Sequence, residues 1–145
     1  MPATQEEQNK ALITRLVEET DKGNLAIADE LFFDDYLDHT SSPVRGLKPG
    51  KAGIKNAYEI FYKAFPDTKH KIHHLIAEGD YVVAHFSAKG THTGELFGAA
   101  PTHKVATLNG IAIYKIVDGK ISERWAYSQE PGVLAQLGIT LPSSD

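Results

Sequence analysis

The side chains best suited to chemistry in this 145-residue chain are a few carboxylates and histidines. Glu123 alternates with Ile121, Trp125 and Tyr127 in a stretch of strand-like composition. A period of two puts it on their face. Desolvation there raises a carboxyl pKa towards neutrality and suits the group to general acid/base work. The structural alternative is a carboxylate hydrogen-bonded to Tyr127, Tyr114 or a buried arginine. His92 extends the apolar alternation Val82, Ala84, Phe86, Ala88, Gly90. From that face it could donate to a developing oxyanion or shuttle a proton, or it could be a satisfied core histidine. Asp38-His39 stands at the start of a loop, a position that reaches a cavity mouth. Turn chemistry by Asp38 beside a solvated His39 is the plainer reading.

Other chemistries lack their residues. The absence of cysteine removes disulfides, thiolate metal sites, iron-sulfur clusters and cysteine nucleophiles. The seven histidines include the adjacent His73 and His74, which strict alternation points to opposite sheet faces, and no His-Glu-x-x-His spacing occurs. No metal site is expected. Gly94, Gly98 and Gly110 match neither dinucleotide nor phosphate-loop spacing, and no nucleophile elbow surrounds a serine, so no nucleotide cofactor is expected. Fifteen Lys and Arg against 19 Asp and Glu give a net charge of −4, which provides no footprint for nucleic acid or an anionic membrane. The apolar runs are too short to span a bilayer, and the polar start Met1 to Lys10 does not read as a signal peptide; the expected location is the cytoplasm.

The elements that must position these residues divide the chain in two. Thr4-Gln5-Glu6-Glu7 is a capping box ahead of the stripe Leu12, Ile13, Leu16, Val17, and Gly23 offers a stop. Asn24 caps a second helix over Leu25, Ala28, Leu31 and Phe32, ending near Asp34-Asp35-Tyr36. A loop, Thr40 to Lys48, has the Ser, Pro and Gly content of a lid. A third helix starts near Pro49, with Ile54, Ala57, Tyr58, Phe61 and Phe65 on one face and Pro66 as breaker. Strands follow over Lys69 to Ala77, Tyr81 to Thr91, His103 to Val117 and Lys120 to Gln129, with Glu78-Gly79-Asp80 and Asp118-Gly119 as hairpin turns. The tail Pro142 to Asp145 looks loose. With 41% apolar and 23% charged residues, residues 1–145 form one globular domain. Its class is α+β: three N-terminal helices against a curved antiparallel or mixed sheet. Ala106, Leu108, Gly110, Ala112, Tyr114 and Ile116 make an inner wall of mostly small residues, which leaves volume for a ligand.

Several spaced motifs carry a family resemblance. They are Asp35-Tyr36-Leu37-Asp38-His39, Gly90-Thr91-His92-Thr93-Gly94-Glu95, Pro101-Thr102, Gly110-Ile111-Ala112-Ile113-Tyr114, Asp118-Gly119-Lys120-Ile121, Glu123-Arg124-Trp125 and Gln136-Leu137-Gly138. In this order they resemble the SnoaL-like polyketide cyclases, which are similar in fold to ketosteroid isomerase and nuclear transport factor two. The resemblance implies a cone-shaped α+β barrel around one deep pocket, and cofactor-free closure of a ring in an aromatic polyketide ester by intramolecular aldol condensation. It also implies a small hydrophobic carbonyl compound as ligand and a homodimer. The family pattern has an aspartate four residues beyond the tryptophan, where this chain has Gln129, which can hydrogen-bond an oxyanion but exchanges no proton at neutral pH. Ala112 stands where many relatives carry a polar inward residue. On this reading Glu123 takes the proton, His92 and Gln129 contact the carbonyl oxygen, and His39, Tyr58, Phe86, Ala112, Tyr114, Trp125 and Tyr127 line the substrate. Two other readings share the fold: a non-catalytic binder of a small apolar ligand, and a dimeric interaction scaffold.

Overall fold

The computed structural model describes residues 3–39 and 49–140. The expected lid, Thr40 to Lys48, and the tail from Pro142 lie outside the described residues. Along the chain run α1 (Gln5–Asp21), α2 (Ile27–Leu31), β1 (Phe32–Asp38), α3 (Lys51–Ala64), β2 (Lys69–Glu78), β3 (Tyr81–Thr91), β4 (Val105–Val117), β5 (Lys120–Ser128) and α4 (Val133–Leu137). The capping residue of α1 is Thr4, whose hydroxyl accepts from the Glu7 amide at 3.1 Å. Such a cap contributes about 1 kcal/mol.

Two departures from the sequence reading concern the number of elements. The second helix stops at Leu31, and Phe32–Asp38 is a strand, so the sheet has five strands in the order β1-β5-β4-β3-β2. β1 runs parallel to β5, while the other pairings are antiparallel. Aromatic Phe32, Phe33 and Tyr36 suit a pleated surface, but the pairing partner lies some ninety residues away in sequence and leaves no local mark. The fourth, five-residue helix is held by a substitute for backbone pairing. Gln136 accepts from the Thr107 amide at 2.8 Å and donates to the Thr107 carbonyl at 2.7 Å. It thereby satisfies the edge of β4 that faces away from β3, beyond the point where β5 stops pairing with it.

The sheet curls around α1, α2 and α3, and its inner face buries Val82, Ile116 and Ile121 against Ile13, Leu31 and Phe32. A second cluster, Ala64, Phe65, Leu96, Ala106 and Leu137, closes the other end. Gly94 is required there, since a Cβ would fall 2.1 Å from the Lys63 carbonyl oxygen, where the β3–β4 connection caps the end of α3. The expected cone-shaped α+β barrel is the fold observed.

Two β-bulges set which side chains face inward. In β5, Lys115 is opposite Glu123 but Ile116 is opposite Ile121, so Ser122 is an extra residue. In β2, Ile72 is opposite Phe86 but His74 is opposite His85, so His73 is extra. Each bulge reverses the alternation of the residues beyond it.

Candidate active site

The β5 bulge reorganises the wall expected from alternation. Ile121 stays buried inside, and after Ser122 the inward positions become Arg124, Ala126 and Ser128, all on the wall of the central cavity. Glu123 and Trp125 turn outward, correcting the expectation that Glu123 shares a face with Ile121. The β2 bulge corrects the histidine expectation similarly. His73 and His74 do not point to opposite faces; both rings lie 5.1 Å from that of His85.

The cavity measures about 1240 Å³, opens to solvent, and is lined by the inner sheet face, α1, α3 and α4. One wall is polar. β1 presents Tyr36 and Asp38 two residues apart on one side, and the parallel register places Asp38 opposite Arg124. Asp38 Oδ2 accepts from the Tyr36 hydroxyl at 2.6 Å and from Arg124 Nη1 at 3.0 Å. The Arg124 guanidinium carbon lies 5.8 Å from the centre of the Tyr114 ring, within cation–π range. Tyr58 joins this group from α3.

Electrostatics keep these groups in donor form. Burial pushes the phenols of Tyr36 and Tyr58 above the ordinary tyrosine range, so both hold their protons. Burial works against the Arg124 guanidinium, yet Tyr114, Tyr36, Asp38 and Tyr58 together raise its pKa above the usual arginine value. Of these neighbours only Asp38 is charged at neutral pH, so the carboxylate is the partner that matters there.

A second ionisable group stands across the sheet, on the inner side of β2. Asp21, the last residue of α1, accepts at 2.7 Å from the Tyr62 hydroxyl, from the His70 amide and from His70 Nδ1. Tyr62 and His70 line the cavity, and the His70 ring lies 6.0 Å from that of Phe86.

The residues expected from sequence separate into three places. Tyr58, Phe86 and Tyr114 line the cavity, and His39 and Tyr127 reach it only at its edge, His39 being bonded to the outward Glu123 and Tyr127 being 71% exposed on the outer face. Ala112 is fully buried in the core behind the wall. Glu123, His92, Gln129 and Trp125 are not on the cavity wall and do not converge. The Glu123 carboxylate accepts from His39 Nε2 at 2.9 Å, and the His39 ring stacks on Trp125 at 4.8 Å. His92 is fully buried beside Phe65 in the β3–β4 connection, where its Nδ1 accepts from the Thr102 amide at 3.0 Å. That bond puts the ring proton on Nε2, which has no partner among the described residues. Gln129 is exposed, and its amide donates to the Asn109 carbonyl. The sequence reading did not single out Arg124, Tyr36, Asp21, His70 or Tyr62. A basic residue alternating with Ala126 and Ser128 was the available sign of Arg124, visible once Ser122 is counted as a bulge. Among the described residues no three His, Asp or Glu side chains are placed to hold a metal ion, and no helix is long and apolar enough to cross a membrane.

Comparison with known proteins agrees with this architecture. Residues 10–137 match the SnoaL-like polyketide cyclase family. The chain is 27% identical over 118 residues to the nogalonic acid methyl ester cyclase of Streptomyces nogalater, covering 81% of this chain and 87% of that one. Among solved structures it is similar to IdmH, a candidate polyketide cyclase from Streptomyces antibioticus, with TM-score 0.74, 27% identity and coverage of 91% and 99%. AclR, a candidate hydroxylase from Streptomyces galilaeus, gives 0.79, 25%, 92% and 98%.

Proposed function

This chain belongs to the SnoaL-like polyketide cyclase family, and from that premise we propose that it catalyses cofactor-free ring closure or isomerisation of a hydrophobic carbonyl compound by acid/base chemistry in the central cavity. The observation that carries this reading is the donor wall of Arg124, Tyr58 and Tyr114, in which Asp38 holds the guanidinium, facing about 1240 Å³ of mostly apolar space. An aldol closure begins with loss of a proton beside a carbonyl and builds negative charge on that oxygen. Fixed donors in such a wall favour that charge more than they favour the ground-state carbonyl. The Asp38 carboxylate neutralises the guanidinium, so the wall suits a neutral carbonyl better than a free carboxylate. The low acidity barrier of a carbon flanked by two carbonyls means that an imidazole or carboxylate base suffices.

The test uses nogalonic acid methyl ester, the compound named for the Streptomyces nogalater relative, together with a panel of flat aromatic keto esters. Formation of a cyclised isomer of unchanged mass is expected, with deuterium from solvent entering the activated carbon. Tight binding across the panel with neither conversion nor exchange would overturn the enzyme reading in favour of a ligand-binding protein.

We also propose a homodimer through the outer sheet face, where Tyr81, Ile111 and Tyr127 are 43%, 48% and 71% exposed beside Trp125. An apolar sheet face of this kind suits a self-complementary two-fold contact. Sedimentation as a monomer at working concentration would remove it.

A further inference from the structure

Resting on that functional reading, we propose that His70, oriented by Asp21, is the base that removes the substrate's proton. A carboxylate only accepts, so the 2.7 Å bond between His70 Nδ1 and Asp21 puts a proton on Nδ1. No partner for Nε2 is found among the described residues, so the base form of the ring carries its lone pair there. Asp21 is itself fixed: the Tyr62 hydroxyl and the His70 amide also donate to it at 2.7 Å, and its side chain is only 11% exposed. Three bonds to one carboxylate hold the imidazole plane, and packing against Phe86 holds its other side. His70 lines the cavity, and with Nδ1 taken by Asp21 the nitrogen left to meet a substrate is Nε2. An imidazole whose inner nitrogen is locked by a carboxylate and whose outer nitrogen is free is the arrangement that makes histidine an effective base and stabilises the imidazolium it becomes.

The position fits the chemistry. β1 and β2 are the two edges of the curved sheet, so the base on β2 and the donor wall on β1 and β5 approach the substrate from different sides. Nε2 takes the activated C–H proton as the C–H electron pair becomes an enolate whose oxygen faces Arg124, Tyr58 or Tyr114. The enolate carbon then forms the new C–C bond at the second carbonyl carbon, whose π pair becomes an alkoxide. The imidazolium returns its proton to that alkoxide, so the product is an isomer of the substrate. Asp21 and Tyr62 touch no reacting atom and are positioning residues.

The first measurement needs no substrate. Nitrogen-15 spectra of the histidine rings, followed through their titration, should show the base form of His70 protonated on Nδ1 and bare on Nε2; a base form with its proton on Nε2 overturns the proposal. The second follows deuterium exchange into nogalonic acid methyl ester. His70→Gln should slow exchange by about 10²–10⁴-fold with Kd for the ester held, and should remove the acidic limb of the pH profile. An unchanged rate and profile in that variant would overturn the assignment. Should His70→Gln fail to fold, Asp21→Asn, which keeps the imidazole, serves instead: a slower rate at unchanged Kd supports the dyad, and an unchanged rate refutes it. The two proposals fail separately. A wild-type protein that binds the ester without exchanging it removes the catalytic reading even where the tautomer is as stated, whereas an active protein indifferent to position 70 removes only this inference.

Discussion

The strands β1 and β5 are joined by two ion pairs made from neighbouring residues, and the pairs lie on opposite faces of the sheet. Asp38 and Arg124 meet inside at 3.0 Å; His39 and Glu123 meet outside at 2.9 Å. The ingredients are similar, but the surroundings differ. The inner pair adds the Tyr36 hydroxyl and the Tyr114 ring and faces an apolar cavity. The outer pair rests on Trp125, its side chains 37% and 30% exposed against 22% and 27% for the inner pair, so partners and neighbours rather than solvent contact set the two apart. Chemistry follows the environment: the same strand offers a carboxylate to the outer face at one position and a guanidinium to a substrate at the next.

The sharpest way to break this comparison is to remove the inner cation. Arg124→Met should leave the Asp38 carboxylate without its charged partner, lowering stability by about 1.5–3 kcal/mol in urea denaturation. It should also slow turnover by about 10²–10³-fold. A loss no larger than that of the outer-pair variant below would show that the two faces are equivalent.

Alkaline titration is the next largest effect. The phenols of Tyr36, Tyr58 and Tyr62 are all raised by burial, so folding favours their protonated form. The stability this contributes is complete below the unfolded phenol value of about 10 and is lost as pH rises above it. Denaturation midpoints should fall above that pH, and absorbance at alkaline pH should show these tyrosines ionising only as the chain unfolds. Tyr36→Phe should flatten the decline; an undiminished slope would mean that the buried phenol is not its source.

Glu123→Gln should do least. Removal of this pair, about one third exposed, costs under about 1 kcal/mol, shrinks with added salt, and should leave turnover unchanged. Abolished turnover would return Glu123 to the catalytic role that alternation alone suggests.

What the sequence disclosed, and what it hid, follows from the same geometry. Local signals were readable: the Thr4 cap, the α3 stripe, the Asp118-Gly119 turn and the inward set from Val82 to Gly90 are each written within a few residues. The β1 strand was not, because its edge is defined by a partner far along the chain. Nor was the wall chemistry, because a period-two argument carries its phase only as far as the first bulge. Counting from Ile121 across Ser122 exchanges the roles of Glu123 and Arg124, and counting across His73 misplaces a histidine. Asp21 and His70 were hidden for a different reason: they are brought together from a helix end and a strand nearly fifty residues apart, and neither belongs to a recognisable spacing.

The extra residue in β5 also bears on how such a pocket changes over generations. Were Ser122 drawn into the ladder and the extra residue moved beyond Ser128, strict alternation from Ile121 would turn Glu123 and Trp125 inward and Arg124 outward in a single step. A cationic wall would become an acidic, aromatic one while every neighbouring side chain was inherited intact. A scaffold built this way has two binding chemistries separated by the position of one bulge, so diversification among its descendants can proceed by moving that bulge as readily as by substituting the wall.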